Sequence, residues 1–480
     1  MSSRPEPAVR PRTLDQLLDH APAPLILPDA RATIAEENRS RRTRIVVLDD
    51  DPTGTQTVSG VPVVIEPGDE DLRWALEHPS GTAFVLTNSR ARSSADAQAL
   101  GADLGRRLAG LASELEVDLR CISRSDSTLR GHFPAETDAL ADGLRSGGKS
   151  AADGVLLCPC FLEAGRVTVD DVHWVRDHDG RYVPAARTEF ARDLTFGYVS
   201  EDLPAWVRER YGDRSIDVRS VSLADIRRGG PERVAEILEA APRGAVVIGN
   251  AAHDADLEVL VLGLQEAERR GRRMLYRTAP SFVGVRGGLP RRPPSAGIAS
   301  GDRGLVVVGS HTSLTTRQLD HAIEAHGLSV VELPVAEILG DGGDRCVERS
   351  ADVVARGLRS GHVALATSRV LQAGRDSADS LSVSVLISRA LARTVALAVA
   401  QREPSWVLAK GGITSHDVAR YGLGAHRAEV AGQLFEGMVS TWLLERDGDR
   451  PRLPYVVFPG NVGAERHLAL AMDALLDKEG

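Results

Sequence analysis

From Thr43 onward, short apolar runs recur in this 480-residue chain, and each ends in a cluster of polar residues or glycines. The most demanding is Ile45-Val46-Val47-Leu48, which runs directly into Asp49-Asp50-Asp51-Pro52-Thr53-Gly54-Thr55. Consecutive apolar residues of this kind suit a strand buried on both faces of a parallel sheet. The C-terminal ends of such strands form the crevice where open α/β sheets bind ligands. Three adjacent carboxylates repel one another, so they make sense if a cation, a substrate hydroxyl or a proton is held there. A solvated acidic turn, with Pro52 and Gly54 as turn formers, is the plain alternative.

The length suggests two or three domains. A net charge of −9 argues against non-specific nucleic-acid binding, which needs a basic face. Lysine occurs only at 149, 410 and 478, so a cationic grip on carboxylate or phosphate falls to arginine, which can hold both oxygens at once. Cys121, Cys158, Cys160 and Cys346 lack zinc-ligand spacing and read as reduced, buried thiols. No apolar run is expected to approach a membrane span, and the Arg/Pro-rich start has no signal-peptide core. The expected location is therefore cytoplasmic, with neither membrane nor nucleic acid as partner. Residues 1–40 read as an appendage without chemistry.

Strands are expected at Ile45–Leu48, Val61–Ile65, Thr82–Leu86, Leu119–Ser123 and Gly154–Cys158, with helices at Ser94–Ala112 and Ala135–Leu144 between them. This alternation predicts an α/β protein with mostly parallel sheets. Polar clusters at successive strand ends assemble on one rim: Thr87-Asn88-Ser89-Arg90, then Arg124-Ser125-Asp126-Ser127-Thr128-Leu129-Arg130-Gly131. Residues 286–303, rich in glycine, proline and arginine, are the best linker candidate. A second α/β unit follows, with strands at Gly304–Val308, Val363–Ala366, Trp406–Ala409 and Pro454–Phe458 and a long apolar helix near Ser382–Ala400. That helix suits either a core or an interface between copies, which admits a homo-oligomer.

Three strand ends of the second unit carry Gly/Ser/Thr turns, at 309–313, 411–414 and 460–463. Glycines let backbone N–H groups approach phosphate closely, so three such turns on one edge favour a nucleotide site. Thr414 also fits the first position of a capping box. In the first unit, Arg90, Arg124 and Arg130 beside hydroxyl residues suit a small anionic substrate, and His132 and His173 read as packing residues. A rival is a haloacid-dehalogenase-like phosphatase, because Asp49-x-Asp51-x-Thr53 and Phe84-Val85-Leu86-Thr87-Asn88 match its first two motifs. That chemistry needs a lysine near the phosphoryl group, and Lys149 is poorly placed for it.

Together the motifs Asp50-Asp51-Pro52-Thr53-Gly54, Thr87-Asn88-Ser89-Arg90, Asp126-Ser127-Thr128-Leu129-Arg130-Gly131 and Phe161-Leu162-Glu163-Ala164-Gly165-Arg166 resemble the four-carbon acid sugar kinase family. Thr278-Ala279-Pro280-Ser281-Phe282, Gly309-Ser310, Lys410-Gly411-Gly412-Ile413-Thr414 and Pro459-Gly460-Asn461-Val462-Gly463 extend the resemblance over roughly residues 43–473. It implies a substrate-binding domain (41–285), the linker (286–303) and a nucleotide-binding domain (304–480), with the active site in the cleft between two α/β domains. It also implies ATP-dependent phosphorylation of the terminal hydroxyl of threonate, erythronate or a 3-oxo-tetronate. Asp50 and Asp51 would be the catalytic acids. Thr53, Gly54, Arg90, Arg124, Asp126, Ser127, Thr128 and Arg130 would line the acid-sugar site. Ser310, Gly411, Gly412, Ile413, Thr414, Gly460 and Asn461 would contact ATP. Mg2+ is the expected companion ion, with no ligand assigned, and domain closure over the linker would join the two sites. A sensor that binds sugar acids without turnover is the non-catalytic alternative.

Overall fold

A computed structural model describes residues 11–294, 297–299, 301–310, 312–369, 377–446, 448, 450–460 and 462–476, with the side chains of 377–382 excepted. The chain forms two compact units: Met1–Thr43 with Ser94–Pro290, and Arg44–Ser93 with Arg291–Gly480.

In the first unit the parallel strands run in the order Asp118–Arg124, Met274–Thr278, Gly154–Cys158, Ala245–Gly249, Val218–Val221. Gly154–Cys158 and Ala245–Gly249 are buried throughout, as strands covered on both faces should be. An antiparallel ribbon, Arg166–Val169, Val172–Arg176 and Tyr182–Pro184, stands apart from this sheet. Its first turn is Asp170-Asp171, both at positive φ, the geometry of a two-residue hairpin. The ribbon was not legible as strands, because its members span three to five residues and alternate weakly. The expected appendage is partly integral. Helix Ala30–Ser40 presents Asn38, whose Nδ2 donates to Arg286 O at 2.9 Å and whose Oδ1 accepts from Arg286 Nη1 at 2.7 Å.

In the second unit the order is Ser329–Leu333, Val363–Thr367, Gly304–Val308, Trp406–Lys410, Leu453–Phe458, all parallel. The antiparallel pair Val439–Arg446 and Ala425–Phe435 follows, then Pro62–Val64, Thr82–Leu86 and Thr43–Asp49. Ala425–Phe435 pairs antiparallel with Pro62–Val64, and this ladder ties the acidic strand end to the C-terminal residues. Besides the expected boundary at 286–303, the chain therefore crosses between the units near residues 43 and 94, since Arg44–Ser93 belong to the second unit. The core of the second unit is built around Trp406, Leu408, Val456, Phe458, Leu468 and Met472.

The expectation that no segment approaches a membrane span is corrected: Val383–Gln401 is long and apolar enough to cross one. In this fold its Leu391, Ala392, Val395 and Ala398 are buried, and the helix packs on Gly343–Gly357. The four cysteines are free and buried.

Candidate active site

Val308, Lys410 and Phe458 are level in adjacent strands, so the three chains turn out of the sheet in step. The turns that follow crowd together. A Cβ on Gly309 would fall 2.1 Å from Thr414 Oγ1, one on Gly411 would fall 3.2 Å from the same atom, and one on Gly460 would fall 3.3 Å from Ser310 Oγ. Gly411 adopts φ +119°, a conformation that side chains disfavour. Helix Gly412–Asp417 starts after it with Gly411 as the cap, so Thr414 lies within the first turn and is not the capping residue the sequence suggested. Ser415 Oγ donates to Gly411 O at 2.7 Å and fixes this start.

Around these turns lies a cavity of about 290 Å³. Ser310, Gly411, Gly412, Ile413, Thr414 and Gly460 line it, with Val335, Ile387 and Leu391 forming an apolar wall. Asn461, like His311 of the first turn, lies outside the described residues. A residue the sequence reading passed over is Arg369. Its Nη2 donates to Ser310 O at 2.6 Å and to Thr316 Oγ1 at 3.1 Å, and burial lowers its pKa. Its signal was the same as for the other arginines, a position directly after a strand.

The acidic strand end belongs to this same unit. A Cβ on Gly412 would lie 3.0 Å from Asp51 Oδ2 and 3.2 Å from Oδ1, so the carboxylate rests against the glycine turn. Bringing Asp51 to Gly412 thus needs no movement between units. Asp51 caps the short turn Pro52–Thr55: its Oδ1 accepts from Thr53 N at 2.8 Å and Thr53 Oγ1 at 2.6 Å. Arg90 answers the charge, with Nε 3.1 Å from Asp50 Oδ2 and Nη2 on Asp51 Oδ2. Asp50 is buried (2% exposed) while the Asp51 side chain keeps 23%, so Asp51 is the acid a ligand can reach. Asp49 is fully buried and packs on Gly54, where a Cβ would come within 1.8 Å of its Oδ2.

Arg124, Asp126, Ser127, Thr128 and Arg130 lie in the first unit, at and after the end of Asp118–Arg124. Arg130 forks onto Asp126, Nε to Oδ2 at 3.0 Å and Nη2 to Oδ1 at 3.2 Å. Two side chains hold the loop from behind. His173 Nε2–H donates to Ser127 O at 2.8 Å, and its Nδ1 accepts from Thr168 Oγ1 at 3.0 Å. Burial pushes the His173 pKa down to about 4, so the ring is neutral at pH 7. Tyr198 Oη donates to Thr128 O at 3.0 Å. Tyr198→Phe is expected to cost about 1 kcal/mol of loop order. Hydrogen exchange at the backbone amides of the 126–131 loop should then speed up roughly fivefold.

Lys410 is fully buried beneath the turns. Nζ donates to Pro459 O at 2.6 Å and lies 3.9 Å from the Phe458 ring centroid. Burial lowers its pKa from 10.5 to about 7. Above pH 7 the folded amine is neutral while the unfolded one still binds a proton, so stability rises with pH until the unfolded pKa is reached. Below pH 7 both forms are protonated and the penalty is constant. Chemical denaturation should show wild type gaining up to about 3 kcal/mol on Lys410→Met between pH 7 and 9.5.

Two sequence families match this architecture: a sugar-binding N-terminal domain over residues 45–286 and a nucleotide-binding C-terminal domain over 305–468. The chain belongs to the family built from these two domains, the four-carbon acid sugar kinase family. Among curated proteins it is similar to a D-threonate kinase of Salmonella typhimurium, 27% identical over 308 residues, which cover 63% of this chain and 66% of that enzyme. The fold is that of a Haemophilus influenzae protein (TM-score 0.59, 19% identity, 90% of this chain and 100% of that one). It is also that of a Salmonella typhimurium LT2 protein provisionally described as a tRNA synthase (TM-score 0.63, 16% identity, 90% and 98%).

Proposed function

We propose that this protein is an ATP-dependent kinase that phosphorylates the terminal hydroxyl of a four-carbon sugar acid, such as threonate, erythronate or a 3-oxo-tetronate. The observation that carries this reading is the closeness of Asp51 to Gly412, which lines the cavity ringed by three glycine turns. An acid able to take a hydroxyl proton stands where backbone N–H groups can hold phosphates. The apolar wall of Val335, Ile387 and Leu391 suits a planar base.

Phosphoryl transfer asks the protein mainly for positioning and charge neutralisation. Asp51 orients the acceptor hydroxyl and takes its proton as the oxygen attacks. Arg90 lies against both acids and offsets their charge. The Ser310, Gly411 and Gly460 turns fix the donor. Mg2+ is a hard cation that carboxylate oxygen suits, and the partly exposed Asp51 beside Gly412 would suit it. Such an ion, when bound, neutralises phosphate charge.

The phosphatase alternative requires Asp49 as nucleophile, and its burial against Gly54 leaves no room for a phosphoryl group. The test is ADP formation across a panel of four-carbon sugar acids. Stoichiometric ADP and phosphorylated acid support the kinase. Acid binding without ADP supports a sensor, and phosphate release from phosphosugars without ATP supports a phosphatase.

A further inference from the structure

Within the first unit the buried Arg227, Arg277 and Arg286 each meet an acid, whereas the half-buried Arg166, Arg210 and Arg272 pair with no carboxylate among the described residues. Arg227 forks onto Asp256 at 2.8 Å through both Nε and Nη2, Arg277 Nη1 lies 3.0 Å from Glu136 Oε2, and Arg286 Nη2 lies 2.9 Å from Glu268 Oε2. Arg166 differs. It opens the ribbon directly after Gly165, which turns the chain at φ +69°. Its Nη1 donates to Ala164 O at 2.7 Å and its guanidinium carbon stands 5.9 Å from the Phe161 ring centroid. Among the described residues no carboxylate pairs with it, and its buried Nε finds no acceptor.

The charges that act on Arg166 are Asp126, Arg130 and Arg176. Asp126 is already engaged by Arg130, by Thr128 N at 3.1 Å and by the Thr128 hydroxyl. Burial lowers the Arg166 pKa, and Arg176 and Arg130 push the same way against Asp126. A guanidinium still stays charged at neutral pH. A half-buried cation without a paired acid, its Nε buried and unmet, carries a charge that a ligand can answer. A planar guanidinium with a free edge matches a carboxylate.

We propose that Arg166 binds the carboxylate of the sugar acid, beside the Asp126–Arg130 pair, and that it sets the preference for acids over uncharged sugars of the same length. This rests on the sugar-acid reading of the first unit. Arg90 is engaged by Asp50 and Asp51 and Arg130 by Asp126, so each of these two already answers a carboxylate within the protein.

The test is binding by calorimetry without ATP, so that it reads the acid site apart from turnover. Threonate, erythronate and the matching uncharged tetritols are titrated into wild type, Arg166→Gln and Arg166→Lys. Arg166→Gln should weaken acid binding by about 30-fold or more, with Arg166→Lys intermediate. Tetritol affinity should stay within about threefold. The ligand-free Arg166→Gln protein should melt no lower than wild type, because a charge without an acid partner has gone, while the rise in Tm on adding acid should vanish. Unchanged acid binding, equal loss of acid and tetritol, or a lowered ligand-free Tm would overturn the assignment. So would a wild type that binds no sugar acid; ADP formation with an uncharged acceptor would then leave the kinase reading standing by itself. Acid binding abolished by Arg166→Gln, without ADP formation by wild type, would support Arg166 and reject the kinase.

Discussion

Asp51→Asn is expected to lower kcat by about 10²–10⁴-fold, the range for losing a general base, with ATP affinity held within about threefold. Asparagine keeps an oxygen for Thr53 N and Oγ1, so the short turn Pro52–Thr55 retains its cap. It loses the ability to take a proton, and it offers Arg90 no charge. Asp50 still holds Arg90 through Nε, so the guanidinium stays in place. The variant should therefore fold normally and bind nucleotide. Calorimetry with a non-hydrolysable ATP analogue and single-turnover rates separate the two effects. Collapsed nucleotide binding with modest kinetic loss would instead make Asp51 a donor-site residue.

Gly412→Val is expected to weaken nucleotide binding and to lower turnover further still. From the motif alone, only phosphate approach would suffer. The geometry adds a second injury, since the first side-chain carbon would already press on Asp51 at 3.0 and 3.2 Å from its two oxygens, before the valine methyls are placed. Asp51 cannot yield freely, because Thr53 and Arg90 hold it. Overpacking of this kind costs about 1–3 kcal/mol, roughly 5- to 150-fold in nucleotide affinity if the strain falls on the bound state. The kinetic loss should exceed the loss in affinity, because the acid is displaced as well. The neighbouring Ile413→Ala, at a side chain 40% exposed, should change both by less than about threefold.

Much of this site was legible because it lies at strand ends. Ile45–Leu48, Gly304–Val308 and Trp406–Ala409 are uninterrupted apolar runs, and the polar residues that follow each have one place to go, the rim of the sheet. The strand Ala425–Phe435 was not legible. It contains His426, Arg427, Glu429 and Gly432, a composition poor in β-formers, and its strand character comes from pairing with Val439–Arg446 and Pro62–Val64. Missing it meant missing that residues 44–93 pack with the C-terminal part, and hence that Asp51 and Gly412 share one unit. Arg166 was visible as part of a motif, but its lack of an acid partner is a fact of three dimensions. The capping role assigned to Thr414 failed because Gly411 can take φ +119° and start the helix three residues earlier.

The most direct test of the account is a structure with a non-hydrolysable ATP analogue. The terminal phosphorus should lie beside Gly411, Gly412 and Gly460 and within about 6 Å of the Asp51 carboxylate, the sum of a hydrogen bond and a near-attack distance. A terminal phosphate bound away from these turns, or held out of reach of Asp51, would contradict it.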